Sequence, residues 1–310
     1  MISAAVSSRH IEGRAPQYGA TNSDIGCEGK VPEMTSLALR PAFHSATVVA
    51  PQFHPLTFSQ LFKALRRIAP SVKIGTWAEP NLSTPPADDP GVEMIVVEGH
   101  ILAVFAFDKP APPDTFQIGP LANIFMRDPA ERCRDHKCHV KVMRTKAPQN
   151  RADAVALSRA VTLVALAVAH VLNAIAVKWD DADHIVPPSL IEGTLPMLIP
   201  PRGITPTLWV RLLAYRGPEQ PTGAVTLAVG TVGLHAFGLR DLEFAPSVKL
   251  PNDLFAESLA FCEYLLKSDA VLDDGETIGI PGHVESGFRV GFKPRGYFLD
   301  TPICLLTPVA

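Results

Sequence analysis

From Ala160 to Val177 nearly every side chain is apolar, and this stretch limits what the rest of the chain can build. About 18 such residues would just reach across a bilayer. His170 and Asn173 interrupt the run, Arg159 abuts it, and much of its bulk is alanine, which inserts weakly. A helix buried between sheet and loops accommodates the run better. Material for such a core is ample: of 310 residues, 47% are hydrophobic and 19% charged, which excludes wholesale disorder.

The length suggests about two globular units. Residues 1–36 mix Ser, Gly, Ala and charge without periodicity and read as a disordered or misassigned extension. Met34 is a candidate biological start; Ile11-Glu12-Gly13-Arg14 resembles a protease cleavage sequence, but no His run accompanies it and the match reads as chance. A first α+β lobe is expected over 37–146 and a second over 147–310. In the first, Ser45–Ala50 reads as a strand. Thr57 and Gln60 then form a capping box, Leu56 and Leu61 a hydrophobic staple, and Phe58, Leu61, Phe62 and Leu65 keep helical spacing up to Ala69-Pro70. Val72–Trp77, Met94–Val97, Ile101–Phe107 and His139–Met143 read as strands, with a hairpin at Glu98-Gly99-His100 and a helix around Leu121–Arg134.

In the second lobe a helix is expected from Ala154 to Val177, then irregular chain from Ile185 to Pro206. Strands follow at Thr207–Tyr215, Ala224–Gly230, Phe288–Phe292 and Ile303–Leu306, with a helix capped by Asn252 between them. The fold class is α+β: antiparallel sheets flanked by helices, in two lobes whose similar make-up hints at duplication. The thirty prolines cluster between elements.

Net charge is −3, which gives no electrostatic reason to bind nucleic acid or an anionic membrane. Five scattered cysteines do not form a disulfide framework, and the amino terminus lacks a secretory pattern. A soluble protein of the cytoplasm is expected.

Several blocks in the second half resemble a bacterial family, domain of unknown function 4261. They are Leu208-Trp209-Val210-Arg211, the run Thr231 to Gly238 continuing into Asp241-Leu242-Glu243, and Asp274 to Gly279. His136 to Val140 and Trp179 fit the same pattern, while Asp180-Asp181-Ala182-Asp183 departs from it. The resemblance implies an α+β protein and brings no chemistry with it.

The candidate sites are few. His136 and His139, with Cys133 and Cys138, suggest metal ligands, although strand alternation would point Cys138 away from His139. Asp180, Asp181, Asp183 and His184 form the densest acidic group, able to hold a hard cation, to divide acid and base roles, or simply to stay solvated. Gly230, Gly233 and Gly238 lack dinucleotide spacing and read as turn glycines. Asp273 to Glu276 reads as a tight turn. No G-x-S-x-G, P-loop or H-E-x-x-H motif occurs. Trp209 and Arg211, on one face of an expected strand, form a recognition surface if that face is open and core if the long helix covers it; Trp179 joins them as a binding candidate.

The leading expectation is a non-enzymatic binding or interaction protein, of an immunity or stress type, with another protein as partner and no cofactor. The alternative is a hydrolase-like or metal-assisted enzyme using His136, His139, Asp180, Asp183 and His184. It requires the junction before His139 and the loop after Trp179 to meet within about 12 Å, because zinc ligands lie only about 2 Å from the ion.

Overall fold

A computed structural model describes residues 40–84, 92–117, 125–199, 203–217, 224–279, 287–296, 299 and 301–309. The extension 1–36, the start of the expected helix at Leu121, and most of the Gly217–Gly223 turn and Pro80–Pro90 loop lie outside them. Residues 37–310 cluster as one compact unit.

The first sheet begins with β1 (Ser45–Ala50). Helix α1 (Phe58–Ile68) follows with both halves of the Thr57–Gln60 capping box made, and Leu56 and Leu61 buried beneath it. Then come β2 (Ile74–Gly75), β3 (Met94–Val97), β4 (His100–Phe107), the short α2 (Pro129–Arg132) and β5 (Cys138–Arg144). The β3–β4 hairpin turns at Glu98 and Gly99, both with positive φ. The long helix α3 spans Arg151–Leu172, and β6 (Ala176–Trp179) and β7 (His184–Val186) complete the sheet in the order β2-β3-β4-β5-β1-β6-β7, antiparallel throughout. The sheet thus takes its last two strands from beyond residue 147.

The apolar run is therefore two elements. Asn150 caps α3 by accepting the Asp153 N–H at 2.9 Å, and Asn173 ends it in the left-handed region at φ 49°. Asn tolerates that conformation, so the expected continuation to Val177 instead reverses and pairs with β1. Helix α3 is long and apolar enough to cross a membrane, yet it is packed against β1, β4, β5, β6, α1 and further helices. Its membrane-like composition reflects burial on nearly all sides.

Three further expectations are corrected. Pro188 to Leu198 is a helix, α4, with Pro188 at its first position and Pro196 near its end; proline fits a first turn, where an N–H has no partner anyway. Pro206 likewise opens a helical turn, α5 (Pro206–Trp209), so the strand β8 (Arg211–Arg216) starts only after Trp209. Helix α6 (Pro251–Lys267) has Pro251 first and Leu250 as its cap, leaving Asn252 inside.

The second sheet is completed by β9 (Leu227–Val232), β10 (Asp241–Ser247), β11 (Thr277–Gly279), β12 (Gly287–Lys293) and β13 (Ile303–Val309). Its order is β11-β12-β13-β10-β9-β8, with β10 and β13 parallel and the other pairs antiparallel. It is connected differently from the first sheet. Helix α6 covers one face through Phe261, whose ring meets Phe244 and Phe288 edge-on, and α6 also touches α3. The architecture is α+β, two antiparallel or mixed sheets with helices between them.

Candidate functional site

The titratable groups converge at one place, where the β6–β7 turn meets a 3-10 turn, Leu234–Phe237, that joins β9 to β10. Gly233 makes this contact possible. It has φ 119°, and a Cβ there would lie 2.5 Å from the Trp209 carbonyl and 2.9 Å from Ala182 Cβ. Only glycine meets both demands.

His235, on the 3-10 turn, lies between two carboxylates. Its Nε2 is 3.7 Å from Asp181 and its Nδ1 is 3.8 Å from Asp241. The three side chains are 7%, 5% and 6% exposed. Burial would push this imidazole down, but the two carboxylates outweigh it and hold the pKa up at about 9. Asp181 also accepts the Phe43 and His44 N–H groups at 2.7 Å each. Burial acts to raise its pKa, and His235 with these N–H donors more than reverses that, leaving it below the usual range. Asp241 accepts the Leu234 N–H at 3.0 Å, and Thr231 accepts the Leu242 N–H at 2.8 Å.

His44 borders the same seam. It sits at φ 45° and is buried, its Nδ1 is 3.2 Å from Ser158 Oγ, and burial lowers its pKa to about 4. One turn along α3, Thr162 accepts the Trp209 indole N–H at 3.0 Å and donates to the Ser158 carbonyl at 2.7 Å. Ser158 and Thr162 thus mark, at i,i+4 spacing, the face of the apolar helix that meets polar neighbours.

The acidic turn is divided among separate partners. Asp180 accepts the Ser45 hydroxyl at 2.6 Å and the Thr47 hydroxyl at 3.1 Å, with Lys141 at 3.6 Å. Burial raises its pKa against those interactions. Asp183 pairs with Lys178 at 2.6 Å and Arg211 at 3.4 Å. His184 is buried against the Phe125 ring, and burial, with Arg211, lowers its pKa to about 4. The solvated-loop reading therefore gives way for Asp180 and Asp181, which point inward.

His136 accepts the Ala111 N–H at 2.7 Å through Nε2 and donates from Nδ1 to the Cys133 carbonyl. Both ring nitrogens are then occupied. His139 donates to the Lys109 carbonyl at 2.9 Å and stacks on Phe107. His139 lies opposite Val49 and the Asp180 N–H meets the Ser45 carbonyl. These positions are about 13 Å apart along β1 and about 9 Å apart across it. Among the described residues no group of three or more His, Cys, Asp or Glu is placed to hold a metal, so the expected shared ion site is not assembled.

Trp209 and Trp179 are 2% and 3% exposed. Trp209 packs against Phe237 and belongs to the core, as the covered alternative required. Arg211 lies beside Asp183 with its side chain 12% exposed. The sequence reading singled out Asp181 and quoted His235 and Asp241, but it did not join them, and it passed over His44 and Ser158.

This geometry defines a two-sheet α+β protein with an ionic seam. Residues 230–289 match the family described as Domain of unknown function (DUF4261), which supports the resemblance over the segment that carries Gly233, His235 and Asp241. Leu208–Arg211, Trp179 and His136–Val140 lie outside that segment. No curated protein and no solved structure matches the chain.

Proposed function

We propose that this chain is a non-enzymatic protein that works by binding another protein. The observation that supports it is the closure of the seam. A general base needs to reach its substrate within about 3 Å and to have a pKa near the working pH. His235 is 7% exposed and held at about 9, so it stays protonated at neutral pH behind two carboxylates. His44 and His184 are neutral there but still more deeply buried.

The surface, by contrast, offers apolar side chains. Met94 lies opposite Ala103, two residues before Phe105, so Met94 and Phe105 share the outer face of the first sheet. They are 42% and 45% exposed, a composition suited to a protein partner. A soluble cytoplasmic setting agrees with four buried free thiols, Cys133, Cys138, Cys262 and Cys304.

The test is affinity capture at native expression level, with mass spectrometry of the co-purified protein. One stoichiometric partner is expected for the wild type and for Val271→Glu, and its loss in a Met94→Glu, Phe105→Glu double variant. Absence of any partner, together with carbethoxylation of His235 as fast as free imidazole, would overturn the reading in favour of an accessible catalytic group.

A further inference from the structure

We propose that the second sheet carries a binding site for a small amphipathic anion, an alkyl carboxylate or its chemical equivalent, in a hollow over β12 and β13. This site is independent of the protein-binding reading.

The register pairs Lys293 with Ile303 and Gly291 with Leu305, so all four positions belong to one face. Helix α6 covers the opposite face through Phe261, Phe244 and Phe288. On the face in question the chain leaves β12 and turns back at Arg295 and Gly296. It brings Leu299 against Ile303, Leu213 and Val232. Gly296 lies so close to Glu243 that a Cβ there would sit 2.1 Å from its Oε1. The Leu299 N–H meets the same oxygen at 3.0 Å. Gly296 and Leu299 are thereby seated on the sheet, and Gly296 forms a wall.

Behind the wall is a cavity of about 300 Å³ lined by Lys293, Arg295, Gly296, Ile303 and Leu305, at the small end of ligand sites. Gly291 helps to create it. A Cβ at that position would meet nothing closer than the Leu305 carbonyl at 3.8 Å and Lys293 Cε at 3.9 Å, so the missing side chain leaves room and the Lys293 stem leans over it. The floor is apolar, from half-buried Leu305 above buried Ile303.

The rim is cationic. Lys293 and Arg295 both line the mouth, and both side chains are exposed. Apolar floor and cationic rim together select a ligand with an alkyl body and a single anionic head.

The experiment is a titration of the full chain with sodium octanoate, followed by methyl NMR of Ile303 and Leu305, with octylammonium as the charge-reversed control. Saturable shifts confined to these methyls are expected with octanoate and not with octylammonium. The exposed pair Lys293→Glu, Arg295→Glu should weaken binding by roughly tenfold or more. Leu305→Trp, which fills the hollow and keeps both cations, should abolish it. Non-saturating or scattered shifts, equal binding of octylammonium, or unchanged affinity in the double charge variant would overturn the proposal.

Discussion

Along α3 the packing against its neighbours is apolar, with Leu163, Val164 and Leu166 each at most 1% exposed. Where the β6–β7 turn meets the 3-10 turn, burial is similar but the groups are Asp181, His235 and Asp241. Apolar contact is non-directional and sets which face is buried. A buried charge is costly unless its partners are in place. The first contact therefore holds the fold together, while the second fixes how one turn sits on the other.

The largest expected effect comes from Asp181→Ala. It removes the acceptor of two backbone N–H groups and one of the two carboxylates at His235. A loss of about 3–5 kcal/mol in urea denaturation is expected; a loss below about 1 kcal/mol would mean that water supports the seam.

Leu166→Ala, on the apolar side, should cost about 3 kcal/mol through the cavity it leaves. It should leave the shape of the stability–pH profile unchanged, whereas Asp181→Ala should flatten the alkaline limb. Equal profiles in the two variants would erase the distinction between the contacts.

The pH profile of the wild type sharpens the comparison. His235 is raised to about 9 from an unfolded value near 6.5, so its contribution is fully present below about pH 6.5 and is lost as pH rises through 9. The size is on the order of 3 kcal/mol. His44 and His184, both lowered to about 4, act with opposite sign: their stability is present above about pH 6.5 and lost as pH falls towards 4. Chemical denaturation across pH 4–9 should show both limbs, with His235→Gln flattening only the one between about pH 6.5 and 9.

The smallest effect is at the surface. Thr57→Ala breaks the capping box of α1 and should cost about 1 kcal/mol with no change in either limb.

Features encoded by neighbouring residues were legible in the sequence. The α1 cap, the Glu98-Gly99 hairpin and the body of α3 each follow from spacing within one or two turns. Proline misled at α4 and α5, because its local meaning depends on whether it falls first in a helix or inside one. Trp209 alternates with Arg211 on paper, but Pro206 makes the segment helical and turns the indole to Thr162. The seam draws on residues 44, 158, 181, 235 and 241, and no local pattern links positions so far apart. Its traces were Ser158 and Thr162 inside an apolar helix, and Gly233 beside His235, each of which has meaning only once the turns are brought together.

The central claim is that His235 is a closed structural charge and not a catalytic base, and its imidazole titration tests this most directly. In NMR spectra of the native chain, the ring signals should remain those of the protonated form at pH 7, with a midpoint near 9. A midpoint at or below about 6.5, the value of free histidine, would show that the carboxylates do not hold the proton and would contradict the account.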